Sequence, residues 1–196
     1  MKVLVTGCAG FIGMHVAQRL LTRGDEVVGV DNLNGYYSPL LKQARLAQLI
    51  PQTNFRFQWL DIADRNSTAA FFEEESFDRV VHLAAQAGVR YSLNNPQAYV
   101  DSNLVGFANV LEGCRQQVVA HLVYASSSSG QGGNTKIPFA ETDPVDQPAT
   151  YADVGALKAW VGFSPDTPLA EGLSKFVAWY CAFYGGIGVY RTTFET

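Results

Sequence analysis

The chain has 196 residues, 47% of them hydrophobic and 16% charged, with a formal net charge of −4 at neutral pH. That length suits one domain with a substantial core, and mild acidity without a basic patch argues against nucleic acid as a partner. Apolar runs stop short of the roughly 20 residues that span a bilayer.

The chain enters a strand at once, so no signal peptide is expected and the location is read as cytoplasmic, with no membrane partner. The cysteines Cys8, Cys114 and Cys181 are odd in number and widely spaced, as suits reduced thiols. With only His15, His82 and His121 available and no His/Cys cluster, no metal site is expected.

The run Lys2–Thr6 is short, apolar and β-branched, the composition of a strand buried on both faces of a parallel sheet. It ends at Gly7-Cys8-Ala9-Gly10-Phe11-Ile12-Gly13. A helix follows, with Ile12, Val16 and Leu20 on one face and Ala17 and Leu21 beside them, ending at Gly24-Asp25. Residues 26–30 form the next strand and deliver Asp31 to its carboxyl end, eighteen positions after Gly13.

Strand, glycine turn, helix, strand and terminal carboxylate together define a dinucleotide site. One glycine permits the turn, one lets backbone N–H groups approach a pyrophosphate, and one lets helix and strand pack closely, with the helix N-terminus facing the anion. Asp31 is placed to accept from an adenosine ribose. No Arg or Lys lies between Asp31 and Ser38 to receive a 2′-phosphate, which favours NAD over NADP.

Residues 32–39 form a turn-rich loop over the adenosine end, a helix spans about 40–49, and residues 55–60 alternate as a third strand. Asp61 and Ile62 then meet the adenine. Alternatively Asp61 caps the helix starting near Arg65, for which Asp64 is the better candidate. Residues 77–84 read as a fourth strand in which His82 is a hydrogen-bonded core histidine rather than a catalyst. Small residues at its end, Ala84 and Ala85 among them, let a cofactor pass close to the backbone.

A long helix over residues 96–117 carries Val100, Leu104, Phe107, Val110, Leu111 and Cys114 at helical spacing, interrupted by Asn103. The fifth strand, residues 121–125, opens into Ser126-Ser127-Ser128-Ser129, beyond the strand end where open sheets place ligands.

Thr6-Gly7-Cys8-Ala9-Gly10-Phe11-Ile12-Gly13, Asp31-Asn32-Leu33, residues 82–92, Ser102-Asn103-Leu104-Val105-Gly106 and residues 124–129 together resemble the extended short-chain dehydrogenase/reductase family. Within it they are most similar to the NAD-dependent UDP-glucuronate 4-epimerases, nearly without gaps to about Pro148. The resemblance implies NAD as cofactor and a UDP-sugar (UDP-glucuronate or UDP-galacturonate) as partner. It implies that NAD oxidises the sugar C4 hydroxyl and returns the hydride to the opposite face, with a Tyr base tuned by a Lys four residues on. It also makes Ser127 the orienting hydroxyl and places Ser128, Arg90 and Tyr91 near the sugar. The cofactor-binding set is Gly7, Gly10, Phe11, Ile12, Gly13, Asp31, Asn32, Asp61, Ile62, Ala84, Ala85 and Asn103.

The chain departs from that pattern after the serine run, which continues Gly130-Gln131-Gly132 rather than Val-Tyr-Gly. Beyond Pro148 it resembles the family's far C-terminal region, its last helix matching residues 167–184. No Tyr-x-x-x-Lys occurs anywhere. Tyr151 and Lys158 are seven apart, whereas helical neighbours that face one way are three or four apart.

The chain thus reads as a family member with a long internal segment missing, its substrate domain largely absent. The expected fold is an α/β doubly wound parallel sheet of order 3-2-1-4-5. Residues 187–194 form a sixth strand or a frayed tail. Residues 1–148 are the NAD-binding domain and 149–196 a C-terminal remnant packed on it. The loss leaves apolar surface, so a homo-oligomer is expected.

Overall fold

The computed structural model describes residues 1–126, 158–159, 162–164 and 166–185. The chain divides into two units, Met1–Ser126 and Ser127–Thr196. The expected boundary at Pro148, residues 127–129 and the sixth-strand segment all lie outside the described residues.

The first unit is built on β1 (Lys2–Thr6), β2 (Glu26–Asp31), β3 (Phe55–Trp59), β4 (Arg79–His82) and β5 (His121–Tyr124). All pairs are parallel, in the order β3-β2-β1-β4-β5, which is the order expected from the sequence. β1 lies between β2 and β4, so its side chains alternate between two buried faces. Leu4 joins Val28, Val30 and Val80 on one, under α3 (Arg65–Glu74) and α6 (Phe107–Gln116). Val3 and Val5 join Val27 on the other, under α1 (Phe11–Thr22) and α2 (Pro39–Leu49). The unbroken apolar runs of β1 and β2 follow from this double covering.

Two expectations change in detail. On α1 the buried positions are Gly13, Met14, Ala17 and Leu21, while Ile12 is exposed. The side-chain-free Gly13 lets the helix press onto the turn, so the face carrying Gly13, Ala17 and Leu21 becomes the inner one. The helix expected over residues 96–117 is interrupted as well. It runs from α5 (Pro96–Tyr99) through a π-helical stretch, Val100–Gly106, into α6, and a separate short helix α4 (Val89–Asn94) precedes it. The wider π turn shifts the register, leaving Leu104 and Leu111 exposed and burying Gly106, Val110, Gly113 and Cys114.

Asp64 is the cap of α3, accepting from Ser67 N at 3.0 Å. In the second unit α7 (Leu169–Gly185) corresponds to the helix expected over 167–184 and starts two residues later. Among the described residues no helix is long and apolar enough to cross a membrane.

His82 sits beside Thr6 in the β1–β4 register. The Thr6 hydroxyl accepts from Leu83 N and Ala84 N, both at 3.1 Å, so its proton is free to be donated to His82 Nδ1 at 2.9 Å. The imidazole stacks on Phe107 at 5.2 Å, and burial pushes its pKa down to about 4. It is a neutral core histidine, as read from its place inside the strand.

An unfolded histidine titrates near 6.5, so between about 6.5 and 4 the unfolded chain binds more protons than the folded one. Stability is therefore expected to fall as pH drops through that window, by up to about 3 kcal/mol from this group. Urea midpoints measured from pH 7 to pH 4 should show the decline, and His82→Asn should flatten it. An unaltered slope in the variant would assign the effect to other groups.

Candidate functional site

The strand order reverses between β1 and β4, and the crevice of an open parallel sheet lies beyond the strand ends at such a point. A cleft of about 140 Å³ occupies that position. The ends of four strands contribute: Gly7 and Gly10 after β1; Asp31, Asn32, Asn34, Tyr36 and Tyr37 at and after β2; Leu60, Asp61 and Ile62 after β3; and residues 83–87 after β4. Lys42 and Ser102 complete the wall.

The glycines act as the sequence indicates at two points. Gly7 has φ +71° and packs so close to β4 that a Cβ there would lie 2.8 Å from Ala84 N. A Cβ on Gly13 would lie 2.0 Å from Gly7 O, so only glycine lets α1 start this close to the turn. Gly7 N and Cys8 N are taken by Val30 O, and Gly10 N by Gly7 O. Gly10 is the N-cap of α1 and has no side chain to cap it, and no acidic residue stands in the first turn. The donors of that turn, at Phe11, Ile12 and Gly13, are the ones a helix leaves for an anion.

Asp31 is buried, 8% exposed. Its Oδ2 accepts from Ala9 N at 3.2 Å and its Oδ1 from Leu33 N at 2.8 Å. Lys42 Nζ stands 3.4 Å from Oδ1. A carboxylate offers about four lone-pair sites, so these contacts leave room for one ribose hydroxyl rather than two. Asn32 donates to Asp61 Oδ2 at 3.1 Å, and Asp61 Oδ1 accepts from Ala63 N at 3.0 Å. Asp61 therefore shapes the loop at the cleft wall rather than capping α3.

Asn103 does not line the cleft. Its Oδ1 accepts from Gln86 N at 2.8 Å and its Nδ2 donates to Gln86 O at 3.0 Å. Both ends of the amide are thus engaged by the backbone that follows β4, and the π-helical stretch aims it there. Arg90 is exposed on α4, whereas Tyr91 is half-buried, its ring 4.8 Å from that of Tyr36 and its hydroxyl accepting from Asn95 Nδ2 at 3.0 Å. Ser127 and Ser128 lie outside the described residues.

Sequence reasoning missed Lys42, because it searched for cations only up to Ser38. Lys42 is 5% exposed and donates to Asn34 Oδ1 at 3.1 Å as well as pairing with Asp31. One turn on, Arg45 donates to Tyr37 OH at 3.0 Å and to Ala9 O at 3.3 Å. The signal was present: Lys42 shares its helical face with Leu46 and Leu49, both buried, and a lysine on an apolar stripe needs an anionic partner.

The model of the GDP-mannose 4,6 dehydratase family matches residues 4–162. The chain belongs to this family of NAD-dependent epimerases and dehydratases. It is 55% identical over 150 residues to an uncharacterized 37.6 kDa protein of Escherichia coli O111:H-, covering 76% of this chain and 45% of that protein. It is 51% identical over 149 residues to UDP-glucuronate 4-epimerase 4 of Arabidopsis thaliana, covering 76% and 34% respectively.

Among solved structures, the UDP-glucuronic acid 4-epimerase of Bacillus cereus, in complex with UDP-glucuronic acid and NAD, matches with a TM-score of 0.61 and 36% identity. That match covers 67% of this chain and 42% of the Bacillus protein. The chain spans between about a third and a half of the length of these curated relatives.

Proposed function

We propose that the cleft binds NAD and that the chain is a nucleotide-sugar epimerase of the UDP-glucuronate 4-epimerase type whose own turnover is impaired. The observation that carries the NAD assignment is the bond from Ala9 N to Asp31 Oδ2. It fastens the glycine turn to the ribose-reading carboxylate, so both halves of a dinucleotide site form as one unit. The pyrophosphate is assigned to the free backbone N–H groups of Phe11, Ile12 and Gly13, with Gly7, Gly10 and Gly13 shaping the turn. The adenosine end falls to Asp31, Asn32, Asp61 and Ile62. Ala84 and Ala85 form the close wall, and Asn103 acts through Gln86.

NAD, when bound, supplies a hydride acceptor and donor. Arg90, Tyr91, Ser127 and Ser128 are assigned to the UDP-sugar by family position. Impairment rests on the missing Tyr-x-x-x-Lys pair, and self-association is part of the same reading, which a clean monomer by light scattering would remove. A non-catalytic NAD-binding module is the second reading, favoured by the same missing pair.

Asp31→Ala is expected to weaken NAD by tenfold or more. The variant loses a charged acceptor, and hydrogen bonds to charged groups contribute about 1.5–3 kcal/mol. Calorimetric titration of the folded variant checks this, and an unchanged affinity would remove Asp31 from the site.

A further inference from the structure

We propose that Lys42 is a masked receptor for a 2′-phosphate, and that its ion pair with Asp31 is what restricts the cleft to NAD; this rests on the NAD reading above. Helix α2 returns Lys42 to the end of β2, where the ammonium stands 3.4 Å from Asp31 Oδ1 and 3.1 Å from Asn34 Oδ1, with the Tyr37 ring centroid at 5.1 Å. Arg45 approaches the same ring at 5.6 Å.

This end of the cleft therefore carries two cations, Lys42 and Arg45. Set against them are Asp31 and, across Asn32, Asp61. An ammonium has three donors, and two are spent on Asp31 and Asn34. With Asp31 in place, a phosphate on the ribose 2′ oxygen would meet a buried carboxylate, a repulsion that water screens poorly. With Asp31 replaced by a small neutral residue, the same phosphate would meet Lys42 with its charge uncompensated. The choice between the two cofactors then depends on a cation supplied by the following helix, eleven residues beyond Asp31.

The test titrates the full chain with NAD and with NADP, in the parent and in Asp31→Ser, Asp31→Asn and Asp31→Ser/Lys42→Met. Asp31→Asn keeps the side-chain shape should the serine variant not fold. The parent is expected to bind NAD at least tenfold more tightly than NADP. Either single variant is expected to gain tenfold or more in NADP affinity and to melt higher with NADP than with NAD. The added Lys42→Met should abolish the gain.

A folded single variant with no gain for NADP would overturn the proposal, as would a gain that survives Lys42→Met. A parent that binds neither cofactor would overturn the NAD reading itself, an outcome distinct from NAD binding without the switch.

Discussion

Supplied with saturating NAD, the purified chain is expected to convert UDP-glucuronate at least 100-fold more slowly than Arabidopsis UDP-glucuronate 4-epimerase 4 assayed beside it. The resemblance assigns proton removal to a tyrosine whose pKa is lowered by a lysine four residues on, and this sequence holds no such pair. A positioned general base typically contributes about 10²–10⁴-fold. The resemblance further implies that the residues holding the sugar against the nicotinamide are largely missing, and orientation carries its own share of the barrier. Ser127 offers no replacement, since an unperturbed hydroxyl is a poor base at neutral pH and no His or Lys stands beside it in the motif. Cofactor saturation alone would not report turnover. Interconversion of the 4-epimers at a rate near that of the relative, abolished by Ser127→Ala, would show that this chain catalyses by another arrangement and would direct attention to Tyr151, Tyr180 and Tyr184.

Gly13→Ala should produce the largest loss of stability of any single-methyl addition in the first unit. The new Cβ would lie 2.0 Å from Gly7 O and 2.7 Å from Gly7 C, both backbone atoms that no rotamer change can move. The start of α1 would have to lift from the turn, carrying Met14 and Ala17 out of the core they share with Val3 and Val5. Overpacking of this kind costs about 1–3 kcal/mol or more. The same displacement moves the first-turn donors, so NAD affinity should fall with stability. Urea unfolding of parent and variant, together with an NAD titration, measures both. A variant of parental stability would mean that the helix start is free to slide. By contrast Gly24→Ala meets nothing within 4 Å, and its penalty would come from the φ of +91° alone.

The sheet was legible because its signals are local and strong. β1 and β2 are runs of apolar residues buried on both faces, and the glycine turn with Asp31 at the next strand end fixes which ends of the strands face the ligand. Asp64 and His82 were readable for the same reason, one from cap chemistry and the other from its place inside a strand. What escaped depends on contacts distant in sequence. The inner face of α1 is decided by Gly13 meeting Gly7. The π-helical stretch carries Asn103, whose amide pairs with a backbone seventeen residues earlier, and no periodicity of Val100, Leu104 and Leu111 announces that. Lys42 was overlooked because its partner lies eleven residues back, although a charge on an apolar helical stripe marks such a residue.

The π-helical stretch also makes chain length a determinant of the cleft. An α-helix advances about 100° per residue, so deleting a single residue between Val100 and Gly106 to restore regular winding would swing Asn103 by roughly that angle from Gln86. No aromatic or aliphatic core residue would change, yet the wall after β4 would lose the amide that holds it. Insertions and deletions here act as a dial on the backbone of residues 84–87, whereas substitutions on the exposed side of the same helix, at Val100 or Leu104, leave its setting untouched.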